Sequence, residues 1–182
     1  MRVFADLWVN LEALKKTMDA NAGVLPLPVI KNGKNVDPRD KKSTKVLQLE
    51  TAMGAAIASF EGAGAILIPR TRFAPVKTTN DMLALMSDAY EVTPDFRMTL
   101  KAEREGNPPD VKLDGAYKFV DALQALVPNG PPSLIACKKI AVEGKVEFAA
   151  GVVCKGAVKF VNTGDEKKVV AAGTYEDTTV EL

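Results

Sequence analysis

Three cations stand close together in the stretch RTRFAPVKTTND, residues 70–81: Arg70, Arg72 and Lys77 fall within eight positions. No Asp or Glu occurs between Glu61 and Asp81, so none of the three has an acidic neighbour in sequence. Such a group is either a solvated basic loop or a holder of something anionic. Thr78 followed by Asp81 has the spacing of a capping box, which predicts a helix starting at Thr78 or Thr79. Lys77 then lies immediately outside a helix N-terminus, where unpaired N–H groups and the positive end of the dipole favour a phosphate. Asp81 already answers part of that dipole.

Other chemistry is sparse. The 182 residues contain no histidine, which removes Ser-His and Cys-His nucleophilic pairs, histidine bases and histidine metal centres. The two cysteines, Cys137 and Cys154, cannot make a four-ligand zinc site or a disulfide scaffold. GAGA at 62–65 lacks the third glycine of a dinucleotide fingerprint and precedes a strand instead of following one. DKKST at 40–44 ends like a P-loop, but Lys41 stands where glycine is required. A net charge of +1 and 6% aromatic residues give no argument for nucleic acid or an anionic membrane surface. The start MRVFADLWVN does not read as a signal peptide, and no apolar run has the length to cross a bilayer. A cytoplasmic, reduced protein is the expectation.

The elements that must position the cations read as follows. NLEALKKTMDANAG predicts a helix from Asn10 to Asn21, capped by Asn10 and closed before Gly23. A short β-prone piece, Val29–Ile30, leads into a polar, exposed loop with Asn32-Gly33 and Asp37-Pro38. An alanine-rich helix is expected over Glu50–Phe60, then a buried strand over Ala65–Pro69. The capped helix runs to about Ala89 with Met82, Leu85, Met86 and Ala89 on one face. KAEREGNPPD, residues 101–110, reads as a loop or linker, and DGAYKFVDALQALV as another amphipathic helix.

From Leu134 the sequence repeats every six residues. Leu134, Ile140, Val146, Val152 and Val158 form one column; Ala136, Val142, Phe148, Cys154 and Phe160 form a second. Gly144, Ala150, Gly156 and Asn162 form a third, of small or turn-tolerant residues. This is the pattern of a hexapeptide β-helix, in which the apolar columns stack inward, with a small antiparallel sheet as the competing reading. It places Cys154 inside, as a buried small hydrophobe. β-Helices of this kind often belong to acyltransferases that use a histidine base; without one, the repeat reads as a packing or assembly element.

LWVNLEALKK, VLQLETAMGAAIASFE and IPRTRFAPVKTTNDMLALMSDAY together resemble the UTP–glucose-1-phosphate uridylyltransferases, with the likeness densest from Leu7 to Glu91 and returning in the tail. The resemblance implies an α/β fold: the C-terminal part of a Rossmann-like nucleotidyltransferase domain (residues 1–105), a linker and helix (106–133) and a short left-handed parallel β-helix (134–182). It implies that UTP and glucose 1-phosphate are converted to UDP-glucose and pyrophosphate with Mg2+. It makes Lys77, the lysine of the RFxPVK motif, the catalytic phosphate-facing charge, with Arg70 and Arg72 either adding to the field or bracing the loop. Family members are considerably longer, and their front half carries the nucleotide loop, so this chain alone is expected to be inactive. Ala5-Asp6 replaces asparagines that stand near the sugar in the family. The alternative is a non-catalytic module that self-associates through the β-helix.

Overall fold

The computed structural model describes residues 7–68 and 75–182. The chain divides into two compact units, Met1–Leu67 and Ile68–Leu182.

In the first unit, α1 (Leu11–Ala20) begins where Asn10 Oδ1 accepts the N–H groups of Glu12 at 2.9 Å and Ala13 at 3.1 Å. It ends in a left-handed turn: Ala22 has φ 52°, Gly23 has φ 82°, and the Gly23 N–H reaches back to Met18 O at 2.7 Å. Strands β1 (Val29–Asn35) and β2 (Lys45–Thr51) then form an antiparallel hairpin, followed by a 3-10 helix at Met53–Ser59. Two expectations are corrected here. Asn32-Gly33 is not a turn but lies mid-strand, with Gly33 opposite Leu47. Glu50 and Thr51 belong to β2, so the alanine-rich helix is shorter and tighter than its sequence suggests. Ala56 is the only buried residue among those described in this unit. Ala65–Ile68 is exposed and forms no strand, contrary to the buried strand read over Ala65–Pro69; Pro69 lies outside the described residues.

The second unit holds the core. Helix α2 (Thr79–Met86) is followed by a small hairpin, β3 (Tyr90–Val92) with β4 (Met98–Leu100), then β5 (Asp110–Leu113) and α3 (Val120–Leu126). The buried side of α2 is Thr79, Leu83 and Ala84, whereas Met86 is exposed, so the helix is rotated from the face expected. Beyond Pro131 and Pro132 come β6 (Ser133–Glu143), β7 (Val146–Phe148), β8 (Val152–Val161), β9 (Lys168–Val170), β10 (Gly173–Glu176) and β11 (Thr179–Glu181). All their mutual pairings are parallel: β6 lies between β5 and β8, β10 and β11 both add to β8, and β7 pairs with β9. The antiparallel reading of the tail is therefore excluded.

Every member of the first apolar column is buried, as are Val142, Phe148, Cys154 and Phe160 of the second. Phe148 and Phe160 meet edge to face with centroids 5.2 Å apart, and Phe160 meets Tyr175 in the same way at 5.2 Å. Ala136 departs from its column: it is exposed, and Cys137 points inward instead. The cause is a pair of register shifts in β6, between Ser133 and Ala136 and between Cys137 and Lys139. The third column marks corners. Gly144 has φ 77°, and a Cβ there would stand 1.9 Å from the carbonyl oxygen of Asn162. Asn162 is buried and its amide donates to the carbonyls of Lys145 and Glu166, both at 2.7 Å.

Candidate functional site

The N-terminus of α2 is built as its sequence suggests. Asp81 Oδ2 accepts the backbone N–H of Lys77 at 2.9 Å, the backbone N–H of Thr78 at 2.8 Å and the Thr78 hydroxyl at 3.0 Å. This fixes the backbone of residues 77–78 against the first helical turn while the Lys77 side chain is exposed. Burial pushes the Asp81 carboxyl up, but the hydrogen bonds from Lys77 and Thr78, with the Lys77 charge, outweigh it and hold the group below the ordinary carboxylate range. A depressed folded-state pKa stabilises the folded chain above the unfolded value and ceases to do so as pH falls through the folded one. Asp81→Asn is therefore expected to flatten the acid side of the stability–pH curve below about pH 4, leaving its neutral arm parallel to wild type. Urea midpoints between pH 3 and 7 check this; parallel curves throughout that range would show that Asp81 is not held low.

Helix α2 is in turn anchored to the parallel sheet. The Thr79 hydroxyl donates to Tyr117 O at 2.6 Å, and Asn80 Oδ1 accepts the Leu113 N–H at the end of β5 at 3.1 Å. Tyr117 lies in a 3-10 turn at Gly115–Tyr117; its hydroxyl accepts the Val146 N–H at 2.6 Å and donates to Gly144 O at 2.9 Å. At the other end, Asp88 accepts from the Ser133 hydroxyl at 2.5 Å and from the N–H groups of Leu134 and Ile135 at 2.7 and 3.0 Å. The helix that follows Lys77 is thus held at its start by β5 and the Gly115–Tyr117 turn and, just beyond its end, by β6. None of these anchors was singled out from sequence; Thr, Asn and Asp before and after a helix are too common to signal a long-range partner.

Arg70 and Arg72 lie outside the described residues, as do Ala5 and Asp6. Among the described residues no three of Asp, Glu, His or Cys gather where a metal ion could sit. Both cysteines are free and fully buried; burial pushes the thiols up to about 11 for Cys137 and about 12 for Cys154, so neither is a thiolate nucleophile. No helix among the described residues is long and apolar enough to cross a membrane.

Comparison with known proteins adds the following. The family model described as UTP–glucose-1-phosphate uridylyltransferase matches residues 4–155. The enzyme of that name from Musa acuminata is 36% identical over 179 residues, covering 96% of this chain and 36% of the relative; that of Saccharomyces cerevisiae is 33% identical over 175 residues, covering 96% and 34%. Among solved structures, UDP-glucose phosphorylase from Trypanosoma brucei is 49% identical with a TM-score of 0.89, covering 96% of this chain and 38% of that one. UDP-glucose pyrophosphorylase from Leishmania major is 50% identical with a TM-score of 0.85, covering 96% and 37%. The chain therefore spans about a third of the length of these relatives.

Proposed function

Because this chain belongs to the UTP–glucose-1-phosphate uridylyltransferase family, we propose that it is the closing portion of such an enzyme, inactive alone and active when the rest of the fold is supplied. The reaction would join UTP and glucose 1-phosphate into UDP-glucose, releasing pyrophosphate. The sugar phosphate oxygen attacks the α-phosphorus of UTP, and negative charge spreads over the transferring group. Positioned positive charge serves that chemistry better than an acid–base pair, so the absence of histidine is no obstacle.

The observation that carries this reading is the α2 N-terminus. Lys77 is exposed beside a helix start whose backbone is pinned by Asp81, which is where a phosphate-facing lysine has to be preorganised. We assign Lys77 the catalytic role and leave Arg70 and Arg72 as supporting charges. Magnesium would be held by the substrate phosphates together with one or two carboxylates, the usual habit of that ion. Two free buried thiols suit the reducing cytosol.

We read the tail as a short left-handed β-helix. Between β6 and β8, Ile140 pairs with Val158 and Val142 with Phe160, an offset of three hexapeptides, which suits a coil of three flat faces. Strands β10 and β11 pair only with β8 among the described residues. Their outer edge is where a second copy would add, and self-association of that kind would disappear on removal of residues 134–182.

The test is UDP-glucose formation from UTP, glucose 1-phosphate and magnesium, by this chain alone and co-expressed with the part of the Trypanosoma brucei relative outside the matched region. Activity only in the pair is expected. An assembled but inactive pair would leave a structural module.

A further inference from the structure

The loop joining β1 to β2 ends in Lys41-Lys42-Ser43-Thr44, which places two cations three and two residues before a hydroxyl. Adjacent cations also occur at Lys15-Lys16, Lys138-Lys139 and Lys167-Lys168, but two residues beyond those pairs stand Met18, Ala141 and Val170; only after Lys42 is that residue a hydroxyl. Lys41, Lys42 and Thr44 are exposed, and no residue from 36 to 44 is buried. Neither lysine enters an ion pair among the described residues. The two hydroxyls of the loop differ in availability. Ser43 Oγ donates to Asp40 O at 2.7 Å and accepts the Asp37 N–H at 3.1 Å, and the residue three before it is acidic, Asp40. The Thr44 hydroxyl has no partner among the described residues, while its carbonyl accepts the Val36 N–H at 2.9 Å and fixes it at the mouth of the hairpin.

We propose that Thr44 is a phosphorylation site for a basophilic protein kinase, one whose substrate cleft carries carboxylates that read Lys41 and Lys42. Charge patterns of this kind are how such enzymes select a substrate. In the step itself Thr44 Oγ1 attacks the γ-phosphorus of ATP, the bond from that phosphorus to the β–γ bridging oxygen breaks, ADP leaves with the electron pair, and the hydroxyl proton passes to the kinase's base. A kinase cleft takes a locally extended segment, so residues 40–43 must leave their turn. The Asn35 amide opposes this by donating to the carbonyls of Asp40, Lys41 and Ser43 at 3.3, 3.0 and 3.1 Å. With nothing buried in the loop, these are the bonds that opening must break, and it lies at the low-stability end of the chain. Once made, the phosphate has a cation within reach: Lys34 pairs with Val46, two residues beyond Thr44 and on the same face of the hairpin. A charge-assisted bond from Lys34 would then tie the mouth of the hairpin.

The experiment incubates the complete 182-residue chain with magnesium, ATP and the catalytic subunit of cyclic-AMP-dependent protein kinase, and locates the phosphate by peptide mass spectrometry. A basic peptide substrate in the same tube reports that the kinase is working. Expected is a single phosphate on Thr44, retained in Ser43→Ala and reduced at least ~10-fold in Thr44→Ala. Replacing both Lys41 and Lys42 by alanine should slow the reaction at least ~10-fold, the scale of losing two charge contacts in a binding cleft. Asn35→Ala, which frees the loop, should speed it at least ~3-fold. The four variants change no buried residue, so their circular dichroism should match that of the unchanged chain. Phosphate on Ser43 or elsewhere in place of Thr44 overturns the proposal. So does a chain left unlabelled while the peptide is labelled, and so does an unchanged rate when both lysines are gone.

Discussion

Replacing Lys77 by alanine in the completed enzyme is expected to lower turnover by at least ~10-fold, the scale of losing one charge that stabilises a transferring phosphoryl group. The side chain is exposed in this chain and lies one residue before the helix cap, so its truncation removes no core contact. Association of the two polypeptides should be retained, and the stability of the chain should fall only by the loss of the Lys77 charge beside Asp81. The backbone N–H that Asp81 holds is still present in alanine, so the start of α2 should keep its geometry. A loss in kcat with little change in KM for UTP would place the lysine's contribution in the transition state; a rise in KM alone would make it a ground-state contact. Lys77→Arg tests geometry against charge, because a planar fork is not interchangeable with a compact ammonium. Unchanged kinetics in Lys77→Ala, measured on a pair shown to assemble, would remove the residue from the site.

What could be read in the sequence is what depends on local chemistry or on a repeated pattern. The Asn10 cap, the Gly23 stop and the Asp81 cap each involve partners within a few residues, and all three stand where their spacing puts them. The hexad repeat was legible because one inward residue in each register position is enforced at every coil; it failed only at Ala136, where a bulge shifts the strand by one residue and flips its neighbours. The hairpin β1–β2 was not legible. Asn32-Gly33 is the stronger turn signal by composition, but the chain actually reverses over residues 36–44, where the Asn35 amide donates to the carbonyls of Asp40, Lys41 and Ser43. Ala65–Ile68, read as part of a buried strand, is exposed and joins no strand among the described residues, because apolar composition alone does not supply a pairing partner. Lys77 could be singled out for its type and place; the threonine, tyrosine and aspartate that anchor its helix could not, because each partner is more than twenty residues away.

Arg104 is the residue whose importance was least visible, and its removal carries the largest expected effect on stability. KAEREGNPPD looks like solvated linker, yet Arg104 is buried in a 3-10 turn at Ala102–Arg104, with Nε donating to Asn107 O at 2.9 Å. Its Nη1 faces the carbonyls of Leu134, Ile135 and Cys137 at 3.3, 3.1 and 2.6 Å. These three carbonyls belong to the stretch of β6 where the pairing with β8 shifts register. A bulge takes backbone groups out of the ladder, and the guanidinium fork supplies donors in their place. Arg104→Ala removes the donor that faces the buried carbonyls of Leu134 and Cys137, each worth about 1–3 kcal/mol, so a loss of about 3 kcal/mol is expected. The same change raises the opening equilibrium of β6 by ~100-fold. Cys137 reports it directly. Its thiol is fully buried beside the bulge, so its alkylation under native conditions should accelerate by a comparable factor, while Arg104→Lys, with three donors and no planar fork, should fall between. Labelling of Cys137 at the wild-type rate in Arg104→Ala would show that the bulge holds without the guanidinium and that the β6 carbonyls find other donors.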